Sequence, residues 1–451
     1  MEEYIKKVLE QVRFKKARKG IEDEIRSHIE DQIEDNMTVG MDRETAERAA
    51  VVDMGDPVEV GISLDRIHRP QIAWSMFWGA VIVGIIGSII HLLIIKNSTL
   101  VCNTCSVYGS GGYIYYTIFG IILMLLVYLL DYTTIARYSK IASIMLFVLL
   151  IVTKSMRISI NGSAVFLRVG PITILTTAIM MLYIPLYGGI IYKYKGGRIG
   201  ALIKSLLWII IPCGFCLFDQ SLSIALIMAI SLLSQLTIAI INGWIDVPKI
   251  PIIAGIWSLF ILSPLLLVLK LLFIGSNAEH HIARLESILN VDSEFNYSLR
   301  TVREITRTSG ILGVRSEKAF SLLPNIDSDY ILTYITSTWG VVAVLIVTIV
   351  VGAIITIGFI TLSKSKNQLG MVMGSGCLMA LLVNAIINMG SAFGIIPYIS
   401  SFFPFISAGG SNLLVSYTFL GIILCIYKYK NAYSQHVDIS IRRKKKIVNK
   451  S

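Results

Sequence analysis

Two patterns of apolar and polar positions divide the chain. Over residues 1–70 the apolar positions come singly or in pairs, at helical spacing, on a polar background. Ile5, Val8, Leu9 and Val12 share one face of a first helix. Ile21, Ile25, Ile29 and Ile33 make an i, i+4 stripe on a second, over about 19–36. Gly40 breaks that helix. Asp42 is placed to N-cap a third, which holds Ala46, Ala49, Ala50 and Val51. Met54-Gly55-Asp56-Pro57 reads as a stop and a restart: Gly ends one helix, and Asp caps the next with Pro in its first turn. The fourth helix is expected over 58–68.

From residue 72 onward the apolar runs become long and uninterrupted. Ten of them approach or reach the roughly 20 residues that cross ~30 Å of hydrocarbon. They are expected at 72–95, 113–130, 141–153, 172–192, 202–217, 222–241, 252–274, 341–362, 371–389 and 411–427. The fold class that follows is all-α: a polytopic helical membrane protein with ten transmembrane helices. The membrane domain covers 71–430, after a small cytoplasmic helical domain (1–70) and before a basic cytoplasmic tail (431–451). No cleavable signal peptide is expected, because the first long apolar run follows about 70 polar residues.

Composition agrees with a membrane setting. Of 451 residues, 55% are hydrophobic and 15% charged, and the mean hydropathy is +0.71. No soluble globular chain of this size has that balance. The formal charge of +11 is unevenly spread. Residues 1–69 hold 17 acidic and 12 basic side chains, so the rest of the chain carries +16. A strongly basic membrane part suits anionic headgroups or a phosphate-bearing substrate. With no soluble basic domain to hold it, nucleic acid is not expected as a partner.

Basic clusters set the expected orientation. Arg137 and Lys140, then Lys193, Lys195 and Arg198, then Lys364 and Lys366, then Arg442-Arg443-Lys444-Lys445-Lys446 recur between less basic connections. By the positive-inside rule both termini are cytoplasmic, and the long loop of about 275–338 is outside. That loop nevertheless carries Arg284, Arg300, Arg303, Arg307, Arg315 and Lys318. Long loops escape the rule, so simple tolerance is one reading. The other is a phosphate site, since Arg300, Arg303 and Arg307 share a helical face. The loop closes on 321–340, SLLPNIDSDYILTYITSTWG, where Asp327 and Asp329 lie at the membrane edge. Carboxylates at that depth are costly to desolvate, which marks them as functional candidates.

Cys102 and Cys105 make a short-loop CxxC on the outside, where a disulfide can form. Cys213 and Cys216 fall within a span and read as packing residues. No Cys/His cluster has zinc spacing, and no Walker loop, GxSxG elbow or dinucleotide fingerprint occurs. Inverted repeats of the transporter kind are not evident, and Asp131, Asp219 and Asp246 sit at span ends rather than in a proton relay.

Two resemblances sharpen this picture. The acidic helix with Glu24 and His28, the Ala-rich helix and the Met54-Gly55-Asp56-Pro57 turn resemble the permease prefix (HAAS-like) domain that precedes membrane regions in Gram-positive bacteria. That implies a cytoplasmic docking or regulatory module with a partner of its own. Over about 72–429 the chain resembles the SEDS (shape, elongation, division and sporulation) family of FtsW, RodA and SpoVE. Leu323-Pro324-Asn325-Ile326-Asp327-Ser328-Asp329-Tyr330-Ile331 is similar to the family's LPEAHTDFIF segment, and the family's essential Asp falls on Asp329. Asn388-Met389-Gly390, Gly394-Ile395-Ile396-Pro397 and 403–413, FPFISAGGSNL, are similar to its N-x-G, GLLP and LPFISYGGSSL strings. Tyr297, Gly310 and Gly313 match an upstream segment, and Asn161-Gly162 with Val169-Gly170-Pro171 match one in the second outer loop.

There are departures. The family's paired glutamates fall on Ser337 and Thr338, its QPSE on Leu175-Thr176-Thr177-Ala178, its loop Trp on Phe166 and its Gln before N-x-G on Asn384. The QPDLGTA segment is barely present at 219–225.

The resemblance implies a peptidoglycan glycosyltransferase that polymerises lipid II in the bacterial cell membrane, in elongation, division or sporulation, beside a class B penicillin-binding protein. Inverting transfer from a lipid pyrophosphate needs a base at the acceptor hydroxyl and charge stabilisation at the leaving group. Asp329 is the candidate base. Arg168, Arg300, Arg303 and Arg307 are candidates for the pyrophosphate, with Asn388, Ser407, Gly409, Gly410 and Ser411 as further substrate-binding candidates. Gly409-Gly410 also fits a plain helix-start turn. A divalent cation can assist such a reaction, although no protein metal cage is visible. The other reading, motivated by Ser337, Thr338 and Ala178, is a non-catalytic scaffold or lipid-handling protein.

Overall fold

A computed structural model describes residues 1–101, 108–153, 157–160, 163–169, 172–219, 221–273, 297–313, 323, 325–433 and 439. Four short helices open the chain: α1 (Glu2–Gln11), α2 (Arg18–Thr38), α3 (Arg43–Asp53) and α4 (Pro57–His68). The capping signals act as expected. Asp42 accepts from the Thr45 amide at 3.2 Å, and Asp56 accepts from the Val58 amide at 2.6 Å with Pro57 in the first turn. The isoleucine stripe of α2 is buried at Ile21, Ile25 and Ile29, as are Ile5 and Val8 of α1.

The membrane part contains α5 (Trp74–Val101), α6 (Tyr108–Leu129), α7 (Tyr132–Val152), α8 (Thr176–Met180), α9 (Tyr183–Tyr192), α10 (Ile199–Phe218), α11 (Leu222–Ile241) and α12 (Lys249–Phe273). Beyond α12 come α13 (Tyr297–Thr308), α14 (Ile331–Trp339), α15 (Val341–Ser363), α16 (Gln368–Ala392) and α17 (Gly410–Lys428). Among the described residues eight helices are long and apolar enough to cross a membrane, and shorter apolar helices lie at Ala178–Tyr192 and Lys249–Ser263. Together they occupy the places of the ten expected spans, and the chain is a multi-pass helical membrane protein.

Two spans differ from expectation. The third starts at Tyr132 rather than near 141, because Asp131 caps it through the Thr133 amide at 2.9 Å. Its first turns are polar, so an apolar run could not show where it begins. The fourth does not start at 172. Ile172–Leu175 is a strand, β3, which pairs with β2 (Ser163–Val169), and β2 pairs with β1 (Arg157–Ile160), all antiparallel. A small sheet is thus added to the helical architecture at the connection before α8. Cys102 and Cys105, Asn161-Gly162, most of the loop before α13 and most of the basic tail lie outside the described residues. Cys213 and Cys216 pack as expected, with the Cys216 sulfur against that of Met228 at 3.7 Å.

Helix α16 is the hub: 78% of its most apolar stretch is buried inside the protein, against 22% for α7. Helices α6 and α17 meet along a close seam. A Cβ on Gly421 would lie 2.7 Å from the Met124 carbonyl oxygen and 3.1 Å from the Met124 Cα. A Cβ on Gly120 would lie 2.4 Å from the Tyr417 ring. In lipid, helices gain little from burying apolar surface against each other, so close packing of small residues has to supply the association.

At the opposite end of α17 the first four helices dock on the membrane part. Lys16 pairs with Asp131 at 2.7 Å, Tyr433 donates to the same carboxylate, and Phe14 stacks on Tyr429 at 5.6 Å. Lys193 reaches the Arg137 carbonyl at 2.8 Å, which joins the basic ends of α9 and α7.

The α6–α17 seam yields a contrast. Gly421→Ala should destabilise the solubilised protein by about 1–3 kcal/mol, since the methyl meets backbone that cannot move aside. Gly352→Ala in α15, where a Cβ meets nothing within 4 Å, should be neutral or stabilising by up to ~1 kcal/mol. Thermal unfolding midpoints in one detergent check both.

Candidate active site

Two loops far apart in sequence meet at the C-terminal end of α16. One is the turn 325–330, just before α14; the other is 393–409, between α16 and α17. Each has a non-glycine residue in the left-handed region: Asn325 at φ 51° and Phe405 at φ 64°. Asn tolerates that conformation, but Phe does so only where its surroundings hold it. Here Tyr113 donates to the Phe405 carbonyl, His91 Nε2–H donates to the Ile406 carbonyl at 2.8 Å, and the Phe405 ring packs edge-on to Tyr417 at 5.4 Å.

The loops are stapled by buried polar groups. Asn388 Nδ2 donates to both the Asp329 carbonyl (2.9 Å) and the Ser401 carbonyl (2.8 Å). Ser407 Oγ donates to the Ser328 carbonyl at 2.7 Å and accepts from the Phe403 amide at 2.7 Å. The Ala408 amide donates to the Asp327 carbonyl at 2.8 Å. Every carbonyl along 327–329 therefore has a donor from α16 or from 393–409, and the Asp329 side chain is left to project from a fixed backbone.

The half-buried Asp329 carboxylate receives two hydroxyls on one oxygen. Tyr398 donates to Oδ2, and Ser400 donates to it at 3.4 Å. Burial lifts this carboxyl to about 6; the two hydroxyls oppose the rise and the charge of Asp327 adds to it. A group poised near 6 is charged at neutral pH yet basic enough to take a proton.

The predicted residues fall into three sets. Asp329, Asn388 and Ser407 converge. Gly409, Gly410 and Ser411 form the head of α17 directly after them; Gly409 has φ 133°, and a Cβ on Gly410 would strike the Tyr116 ring at 2.4 Å. Ser411 Oγ accepts from the Leu175 amide at 2.8 Å, which ties β3 to this head. The arginines do not act as one group. Arg303 Nε donates to the Gly394 carbonyl at 2.9 Å, whereas Arg300 and Arg307 are exposed. The groups that act most on the Asp329 carboxyl are Tyr398, Ser400, Asp327 and Asn325, and none of them is an arginine. Arg168 is in β2, opposite Thr173, and its side chain lies outside the described residues.

Sequence reading passed over Tyr398, Ser400, His91 and Tyr113. Tyr398 follows Pro397 in a stretch without polar periodicity, and His91 sits in an otherwise apolar span. Only an isolated polar side chain at membrane depth hinted at the latter. The departures are accommodated without new charge: Ser337 is buried with its hydroxyl on the Tyr334 carbonyl of its own helix at 2.9 Å. Among the described residues no three His, Cys, Asp or Glu side chains converge, so no metal cage is formed.

The match to a family model decides the relationship. The FtsW/RodA/SpoVE cell cycle protein model matches residues 72–432, which include Asp329 and both stapled loops. The chain belongs to the FtsW/RodA/SpoVE family. FtsW of Mesostigma viride is 25% identical over 318 residues, covering 68% of this chain and 73% of the relative. The peptidoglycan glycosyltransferase MrdB of Escherichia coli is 29% identical over 125 residues, covering 28% and 33% of the two chains. Among solved structures, a chain of a peptidoglycan synthase complex shares the fold at a TM-score of 0.65 and 16% identity, over 80% of this chain and 99% of that one. The rod shape determining protein RodA of Thermus thermophilus superposes at a TM-score of 0.55 and 16% identity, over 80% and 98%. As an FtsW/RodA/SpoVE protein the chain thus carries the family fold with its own set of polar residues around one carboxylate.

The staple can be tested directly. Asn388→Ala leaves two buried carbonyls without donors and should cost about 2–3 kcal/mol in thermal unfolding. Asn384→Ala, one turn lower and bonded only to the Ala380 carbonyl of its own helix, should cost less than half of that.

Proposed function

We propose that this chain is a peptidoglycan glycosyltransferase that polymerises lipid II, with Asp329 as general base. The observation that carries the reading is a carboxylate held near 6 on an immobilised turn at the membrane edge, in a family whose relatives include a named peptidoglycan glycosyltransferase. Above its midpoint the carboxylate takes the proton of the acceptor hydroxyl while that oxygen bonds to the donor's anomeric carbon. The bond from that carbon to the pyrophosphate oxygen breaks with its electron pair, and the pyrophosphate leaves as an anion. Exposed Arg300 and Arg307, with the guanidinium of Arg303, supply positive charge on the same outer face. The first-turn amides of α17, which have no acceptor within the helix, add donors beside Gly409 and Gly410. Among the described residues no three His, Cys, Asp or Glu side chains gather to ligate a divalent cation.

The setting follows the same reading: a bacterial cell membrane with both termini cytoplasmic, and a class B penicillin-binding protein as the outer partner. The likeness to a chain of a peptidoglycan synthase complex supports that pairing. The first four helices, docked through Lys16 and Asp131, act as a prefix domain for a cytoplasmic partner.

A second reading, a non-catalytic scaffold or lipid-handling protein, is favoured by one observation. Ser337, where the family resemblance expects an acid, is buried and satisfied within its own helix.

Purified protein with its transpeptidase should form glycan strands from lipid II, and Asp329→Asn should abolish them without loss of folding. Below about pH 6 the wild-type rate should fall about tenfold per unit, because protonation removes the base, and it should level above that. Folded wild-type protein that binds lipid II yet makes no strands would establish the scaffold reading instead.

A further inference from the structure

Tyr398 is 44% exposed, yet its hydroxyl ends on Asp329 Oδ2. Its ring stacks on Tyr330 at 5.3 Å and 27°, and Tyr330 itself is only 2% exposed. A flexible surface tyrosine would not hold one hydrogen bond; this one is clamped between a buried ring and a loop that Asn388 and Ser407 fix. Ser400, two residues on, reaches the same oxygen at 3.4 Å. Loop 393–409 thus delivers two hydroxyls to one carboxylate oxygen, from the side facing solvent.

We propose that Tyr398 is a positioning residue that orients the Asp329 carboxylate through Oδ2 and presents it as the base. The inference rests on the reading of Asp329 given above. A carboxylate on a turn can rotate about two side-chain bonds, and one strong donor on a fixed ring removes that freedom. The same donor stabilises the anion, which opposes burial. The groups acting on the carboxyl are Tyr398 and Ser400 from 393–409, and Asp327 and Asn325 from its own turn. Neighbouring α13 brings Arg300, Arg303, Glu304 and Arg307, and α16 brings neutral Asn388. Burial and the Asp329 charge push the Tyr398 hydroxyl upward, so it stays protonated and donates at all working pH values.

The sign is fixed. Removing a donor to the charged form raises the protonation midpoint of Asp329, so Tyr398→Phe, which keeps the stack, must move it above 6. The probe is the protonated-carboxyl infrared band of the purified full chain, titrated with pH and assigned by its loss in Asp329→Asn. Tyr398→Phe should shift that midpoint upward by about one unit. The acid limb of glycan synthesis should shift with it, so that the loss is about fivefold at pH 6, approaches about tenfold below pH 5 and is small near pH 8. Ser400→Ala, at a longer contact, should shift both by less. An unmoved midpoint in folded Tyr398→Phe overturns the proposal, as does a uniform loss of activity at every pH. If the midpoint moves but Asp329→Asn still makes glycan, the positioning stands and the reading of Asp329 as base fails.

Discussion

The structure depends on one polar joint in an apolar setting. The side-chain amide of Asn388 rises from the most buried of the long spans described and donates to two loops at once, at Asp329 and at Ser401. At membrane depth an unsatisfied carbonyl costs several kcal/mol, so neither loop can leave this joint without exposing backbone that nothing else would satisfy. Ser407 and the Ala408 amide extend the joint along the turn. The carboxylate of Asp329 is therefore fixed by its backbone before any side-chain contact is made, and the Tyr398 and Ser400 hydroxyls then set its direction.

The bundle brings this joint together by close packing rather than by hydrophobic burial. Gly120 and Gly421 let α6 and α17 approach to backbone contact, which sets the height of Gly409 and Gly410 at the N-terminal head of α17. From the amino-terminal half, His91 and Tyr113 reach across to the Phe405–Ile406 carbonyls. The strained Phe405 conformation is held from both sides, as expected where a loop must be kept in one shape. The far end of α17 meets Phe14 and Lys16, so one helix links the docked amino-terminal helices to the site.

Much of this was legible in the sequence, for identifiable reasons. Helix caps at Asp42 and Asp56 are local chemistry, and local chemistry is written in adjacent residues. Long apolar runs located the spans, except where polar turns hid the start of α7 and where Ile172–Leu175, β-branched at its first three positions, formed a strand instead of a helix. Asp329, Asn388 and Ser407 were found because their neighbours carry a recognisable string. Tyr398, Ser400, His91 and Tyr113 were not, since each acts through a contact made in three dimensions by residues 69 to 315 positions apart. The arginine face read from i, i+3, i+7 spacing is a real helix face, but Arg303 is committed to a carbonyl, which spacing alone does not reveal.

The central claim is that this joint presents Asp329 to an acceptor hydroxyl. A cryo-electron microscopy structure of the full chain with lipid II bound tests it most directly. The acceptor hydroxyl should lie about 2.6–3.2 Å from the Asp329 carboxylate, with the donor pyrophosphate on the arginine-bearing outer face. Lipid II seated elsewhere, with Asp329 still enclosed by Tyr398 and remote from any sugar hydroxyl, would contradict the account.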